Sequence, residues 1–109
     1  MIVSDDTVSK ALAYLAEDPH ALALAQKDVL FAEMAKDQVF ARLYLLSEGT
    51  AKERESTVLL DTEYQLAKTS EIEAQFEQSR HKQRSKAAED ILDIWRTQNA
   101  NARAAERVR

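Results

Sequence analysis

Apolar residues recur along this chain in alternating steps of three and four, the spacing that aligns side chains on one face of an α-helix. Val8, Leu12 and Leu15 predict a first helix that starts near Ser4 or Asp5, whose side chains can accept a bond from an unpaired backbone N–H. It is expected to end before Asp18-Pro19, with Asp18 capping the next helix and Pro19 as its first residue, where a missing N–H costs nothing. The second helix then runs to about Ser47 or Glu48 along Leu22, Ala25, Val29, Ala32, Val39, Leu43 and Leu46. Phe31, Phe40 and Tyr44 widen that stripe, so this helix is expected to be buried on more than one side.

Gly49 fits the left-handed position that ends a helix, and Thr50 with Glu53 makes a capping-box pattern that starts another at once. After Gly49 there is neither glycine nor proline, which predicts one very long C-terminal helix over residues 51–107. At 1.5 Å per residue it would be ~85 Å long, against a radius of gyration of ~13 Å for a compact domain of this size. So short a connection makes helices two and three antiparallel neighbours, with Val58, Leu59, Leu60, Tyr64, Leu66, Ala67, Ile72, Ala74 and Phe76 as the facing apolar surface. The first helix folds back on this hairpin to complete a small three-helix core. Ser70 and Glu73 form a second capping-box pattern, and a break there is the alternative to an unbroken helix.

The pattern lapses from Glu77 to Lys86 and resumes with Ala87, Ala88, Ile91, Leu92, Ile94 and Trp95. On an arm projecting past the second helix this is an exposed apolar patch, so Ala88, Ile91, Leu92 and Trp95 are the expected oligomer or partner interface. Trp95 could instead stack on a base, but beside Ile91, Leu92 and Ile94 an anchoring role is favoured.

Composition narrows the class. One Gly and one Pro in 109 residues, with 45% apolar and 31% charged, predict a folded, soluble, all-α protein. The arrangement expected is a helical hairpin or three-helix unit, assembled into an oligomeric bundle or coiled coil. There is no cysteine, hence no disulfide, thiolate nucleophile or thiolate metal site. The acidic start Met1-Ile2-Val3-Ser4-Asp5-Asp6 carries no signal-peptide pattern, and the expected location is the cytoplasm, without membrane attachment.

The net charge of −4 hides a division: residues 1–79 hold seven Lys and Arg against fifteen Asp and Glu, and residues 80–109 hold eight against four. An acidic hairpin body (1–79) and a basic projecting arm (80–109) are expected within one helical domain. Arg80, Lys82, Arg84, Lys86 and Arg96 are the candidate contacts for a nucleic acid or an acidic partner. They spread around the helix, and the acidic body would repel a polyanion, so docking on an acidic protein surface fits equally well.

Catalytic chemistry finds little support. Glu17-x-x-His20 has the spacing of a carboxylate-bridged metal pair, but Pro19 interrupts it and Gln78 precedes His81 where a second copy would need an acid. His20 reads as a polar first-turn residue, and His81, among Arg80, Lys82 and Arg84, as part of a solvated face. No phosphate-binding glycine loop, nucleophile elbow or zinc motif occurs. An enzyme is not expected, nor a metal or cofactor.

Gly49-Thr50-Ala51-Lys52-Glu53-Arg54-Glu55, Glu63-Tyr64-Gln65-Leu66-Ala67-Lys68 and Ile94-Trp95-Arg96-Thr97-Gln98-Asn99-Ala100-Asn101 resemble segments of small helical proteins encoded by bacteriophages and prophages. The resemblance spans roughly residues 49–103 and points to the early, recombination-region type. It implies a non-enzymatic accessory or adaptor factor in DNA recombination or replication, in the bacterial host cytoplasm. The competing classes are a structural virion or assembly component forming a bundle or ring, and a small regulator of a host enzyme.

Overall fold

The computed structural model describes residues 3–108, with all their side chains except those of Asp18 and Val108. The described chain is all-α, with three helices: α1 (Asp5–Leu46), α2 (Ala51–Leu60) and α3 (Thr62–Val108). Helix α3, at 47 residues, is the long C-terminal helix expected from a stretch without glycine or proline.

Local chemistry accounts for most of the boundaries. Ser4 opens α1: its Oγ accepts from the Thr7 N–H at 3.2 Å and its carbonyl from the Val8 N–H at 3.1 Å. Gly49 has φ of 110°, a conformation that a Cβ would strain, and Thr50 Oγ1 accepts from the Glu53 N–H at 3.2 Å to start α2. The glycine turn and the cap after it are therefore where the sequence puts them.

Two boundaries differ from expectation. Pro19 lies inside α1 instead of starting a second helix, so residues 5–46 form a single element. A proline inside a helix loses one backbone bond and costs ~3 kcal/mol. Buried Val8 and Ala11 before it and Ala25 and Val29 after it, on a chain rich in good helix formers, offset that cost. The long helix is likewise not unbroken from residue 51, nor does it break at Ser70. It is interrupted at Asp61, which has extended backbone (φ −71°, ψ 136°). The Asp61 N–H ends α2 on the Val58 carbonyl at 3.0 Å, while its Oδ1 accepts from the Glu63 N–H at 2.8 Å and its carbonyl from the Gln65 N–H at 3.0 Å. One aspartate thus closes one helix and opens the next. Ser70 stays within α3, donating to the Leu66 carbonyl at 3.1 Å.

Packing divides the chain into two units: Met1–Leu22 with Arg80–Arg109, and Ala23–Ser79. These packing units do not follow the charge division at residues 79 and 80: the start of α1 belongs with the basic segment. In the first unit the start of α1 runs antiparallel to the end of α3, around a core of Val3, Val8, Ala11, Ala88 and Leu92 with Tyr14, Leu15, Ile91 and Trp95 packed against it. The Val3 N–H donates to Gln98 Oε1 at 3.3 Å, and the Tyr14 hydroxyl donates to the His81 carbonyl at 3.3 Å.

In the second unit the rest of α1, the whole of α2 and the start of α3 surround Val58, which is fully buried. Phe40 stacks on Tyr44 at 6.0 Å between ring centroids and meets Tyr64 edge-on at 5.9 Å; Arg54 lies over the Tyr44 ring at 5.7 Å.

Candidate interaction surface

The covered positions of α3 keep the three-four spacing throughout: Tyr64, Ala67, Glu71, Ala74 and Gln78 in the second unit, and His81, Ser85, Ala88, Leu92 and Trp95 in the first. Those in the second unit after Tyr64 are small or polar. At their centre Glu71 is only 3% exposed, with its Oε2 2.8 Å from Lys36 Nζ and its Oε1 2.9 Å from Lys68 Nζ. The Lys36 ammonium, and after it that of Lys68, holds the Glu71 carboxyl below its ordinary value of 4.5. The Glu71 carboxylate in turn raises Lys36 above 10.5. The outer rim of this unit carries an exposed ion pair between Arg42 and Glu63.

A seam this polar leaves many of the larger apolar side chains of the second unit outside. On α1, Leu24, Leu30, Phe31 and Met34 are exposed, and Leu45 is 79% exposed. Around α2 and early α3, Leu59, Leu66, Ile72 and Phe76 are exposed, and Leu60 is 77% exposed. Phe31 was expected to widen the buried stripe. It is instead 55% exposed, although Phe40 and Tyr44 are half-buried as the pattern suggests. Leu46 and the residues from Leu59 to Phe76 just named, expected to face the helix core, are corrected in the same way.

The exposed residues of α1 are ordered. Leu24, Lys27, Phe31, Met34, Gln38, Ala41 and Leu45 follow their own three-four spacing, every one of them solvent-exposed. At ~100° per residue this row lies on the side of α1 opposite Ala25, Val29, Ala32, Lys36, Val39 and Leu43, the row turned inward. Lys27, Leu30, Phe31 and Met34 line a shallow depression on it, with Lys27 Nζ 6.0 Å from the Phe31 ring centroid. The sequence carries a sign of this row: Leu24, Phe31, Met34 and Leu45 are large apolar residues that fall outside the inward stripe.

The interface expected at the C-terminal end is covered by the chain itself. Ala88 and Leu92 are buried against Val3, Val8 and Ala11, and Ile91 and Trp95 pack on the same core. The resumption of apolar residues after Lys86 therefore records an internal contact with the start of α1. Of the basic candidates, Arg80 and Lys82 are exposed, Arg84 lies over the Tyr14 ring at 4.6 Å, Lys86 pairs with Asp90 at 3.6 Å and Arg96 with Asp93 at 3.4 Å. Such exposed pairs within one helix are weak and leave the cations open to an anionic partner.

The histidines also move from their expected settings. His20 is an exposed residue of α1, not the first turn of a helix. His81 is half-buried with its Nδ1 enclosed, and its carbonyl accepts from both the Tyr14 hydroxyl and Ser85 Oγ. Among the described residues no group of three or more His, Asp or Glu side chains is placed to hold a metal ion, and no helix is long and apolar enough to cross a membrane.

The described chain is thus all-α, and its second unit has a largely polar seam and an exposed outer row on α1. Comparison with known protein families, with curated proteins and with solved structures finds no match to this chain.

Proposed function

We propose that this protein is a non-catalytic accessory or adaptor factor that works by helix-mediated association. The observation that carries the proposal is the ordered apolar row on α1, together with the exposed leucines around α2. Exposed apolar surface rimmed by polar residues characterises protein–protein contact sites, and a row with coiled-coil spacing fits a helix as its occupant. The phage-type resemblance supplies a setting for such a factor in DNA recombination or replication. Arg80, Lys82, Arg84, Lys86 and Arg96 supply its contact with a polyanion or an acidic protein. A structural assembly component is the second reading, favoured by the same apolar row.

Solution mass, measured by light scattering at low and high salt with and without single-stranded DNA, tests both readings. An oligomer that gains mass with DNA and loses it in salt is the result expected for the recombination factor. Neutralising Arg80, Lys82, Arg84 and Lys86 together should then abolish the gain. An oligomer indifferent to DNA would leave the assembly component, and a monomer under all conditions would overturn both.

A further inference from the structure

We infer that the outer row of α1 is the docking site for the same row of a second copy of this chain, packed antiparallel about a twofold axis between residues 32 and 33. The inference rests on the associative reading above and names its partner. Spacing makes the occupant a helix, because Leu24, Lys27, Phe31, Met34, Gln38 and Ala41 occupy the alternate positions that interdigitate between two helices.

The identity and direction of that helix follow from matching the row against itself. Antiparallel about this axis, Leu24 meets Ala41 of the second copy, Phe31 meets Met34, and Lys27 meets Gln38 beside Asp37. A large side chain then faces a small one at the ends, the two bulkiest face each other near the centre, and each cation lies beside a carboxylate. Parallel pairing in register would set Lys27 against Lys27, crowd two phenylalanines into one layer and leave Ala41 facing Ala41 across a gap. Like charges and voids both oppose that arrangement. The twofold axis also makes the contact isologous and closed, so it yields a dimer and not an open fibre.

The chain has no cysteine, so single cysteines can report on the register. Leu24→Cys and Ala41→Cys variants, mixed in equal amounts and oxidised, should cross-link to each other at least tenfold faster than either does alone. Positions 24 of the two copies lie ~25 Å apart in the antiparallel pair, beyond the reach of a disulfide. Faster cross-linking of each variant with itself, or none in the mixture, would overturn the inference.

Phe31→Glu with Met34→Glu should weaken self-association at least 100-fold in sedimentation equilibrium, with helicity unchanged by circular dichroism. Phe76→Glu on α3 should change it less than about threefold. An oligomer that survives the α1 variant would overturn this docking site while leaving the associative reading intact. A wild-type chain that stays monomeric at about 200 μM would overturn both.

Discussion

The two units use the same helices to opposite ends. In the first, the residues aligned on α1 and α3 are Val8, Ala11, Ala88 and Leu92, and they enclose one another. In the second, the aligned positions on α3 are Tyr64, Ala67, Glu71, Ala74 and Gln78, and Leu24, Leu30, Phe31, Met34, Leu45, Leu60, Leu66 and Phe76 are left facing water while Phe40, Tyr44 and Tyr64 are half-buried. Helical spacing alone therefore does not say which row is core. What decides is which row finds a complementary row within the same chain.

This contrast can be broken by truncating one residue in each unit. Leu92→Ala should cost about 2–4 kcal/mol in urea unfolding, because a buried leucine leaves a cavity. Phe31→Ala should cost less than about 0.5 kcal/mol at concentrations that keep the chain monomeric, because its ring is largely solvated there. Equal losses at the two sites would mean that the second unit encloses its outer row. Trp95→Ala belongs with Leu92→Ala, and its main effect should be on the stability of the first unit.

A smaller change sharpens how the second unit is held. Asp61→Ala removes the side chain that caps α3 and should destabilise by about 1 kcal/mol, with Asp61→Asn restoring most of the loss. Tyr14→Phe in the first unit removes one partly buried hydrogen bond and should cost about 0.5–1 kcal/mol in thermal unfolding.

The gentlest test is the acid limb of the stability curve. Glu71 is held below its ordinary value when folded, so its pairing with Lys36 and Lys68 stabilises fully above the unfolded value near 4.5 and is lost as pH falls through the lower folded value. Glu71→Gln should flatten that limb below pH 4.5. An unchanged slope would place the acid sensitivity elsewhere. Lys36, raised when folded, has the opposite sense: its contribution is complete below 10.5 and fades as pH rises through its folded value.

Much of the fold is legible in the sequence because its determinants are local. Ser4, Gly49 and Thr50 act through their own backbone neighbourhoods, and the helix end and starts they signal are present. Asp61-Thr62-Glu63 has the makings of a helix start, but embedded after Leu59-Leu60 it passes for one more acidic helix residue. The local meaning of Pro19 is a helix start, which packing on either side of it overrides. The candidate surface was less legible, since burial depends on distant segments. Nothing near Leu92 in sequence announces that Val3 and Val8 will cover it, and nothing near Phe31 announces that no row of this chain will.

The hydrogen bond from Val3 to Gln98 spans 95 residues of chain. Its consequence is temporal. A contact of that separation cannot form until the chain has been synthesised through Gln98, and closing so long a loop costs conformational entropy before any contact repays it. The turn at Gly49 brings its flanking helices together over far shorter separations, which favours the second unit as the earlier to fold. During translation the first turns of α1 wait with Val8 and Ala11 uncovered until Ala88 and Leu92 emerge, so the order of synthesis puts the core of the first unit after that of the second.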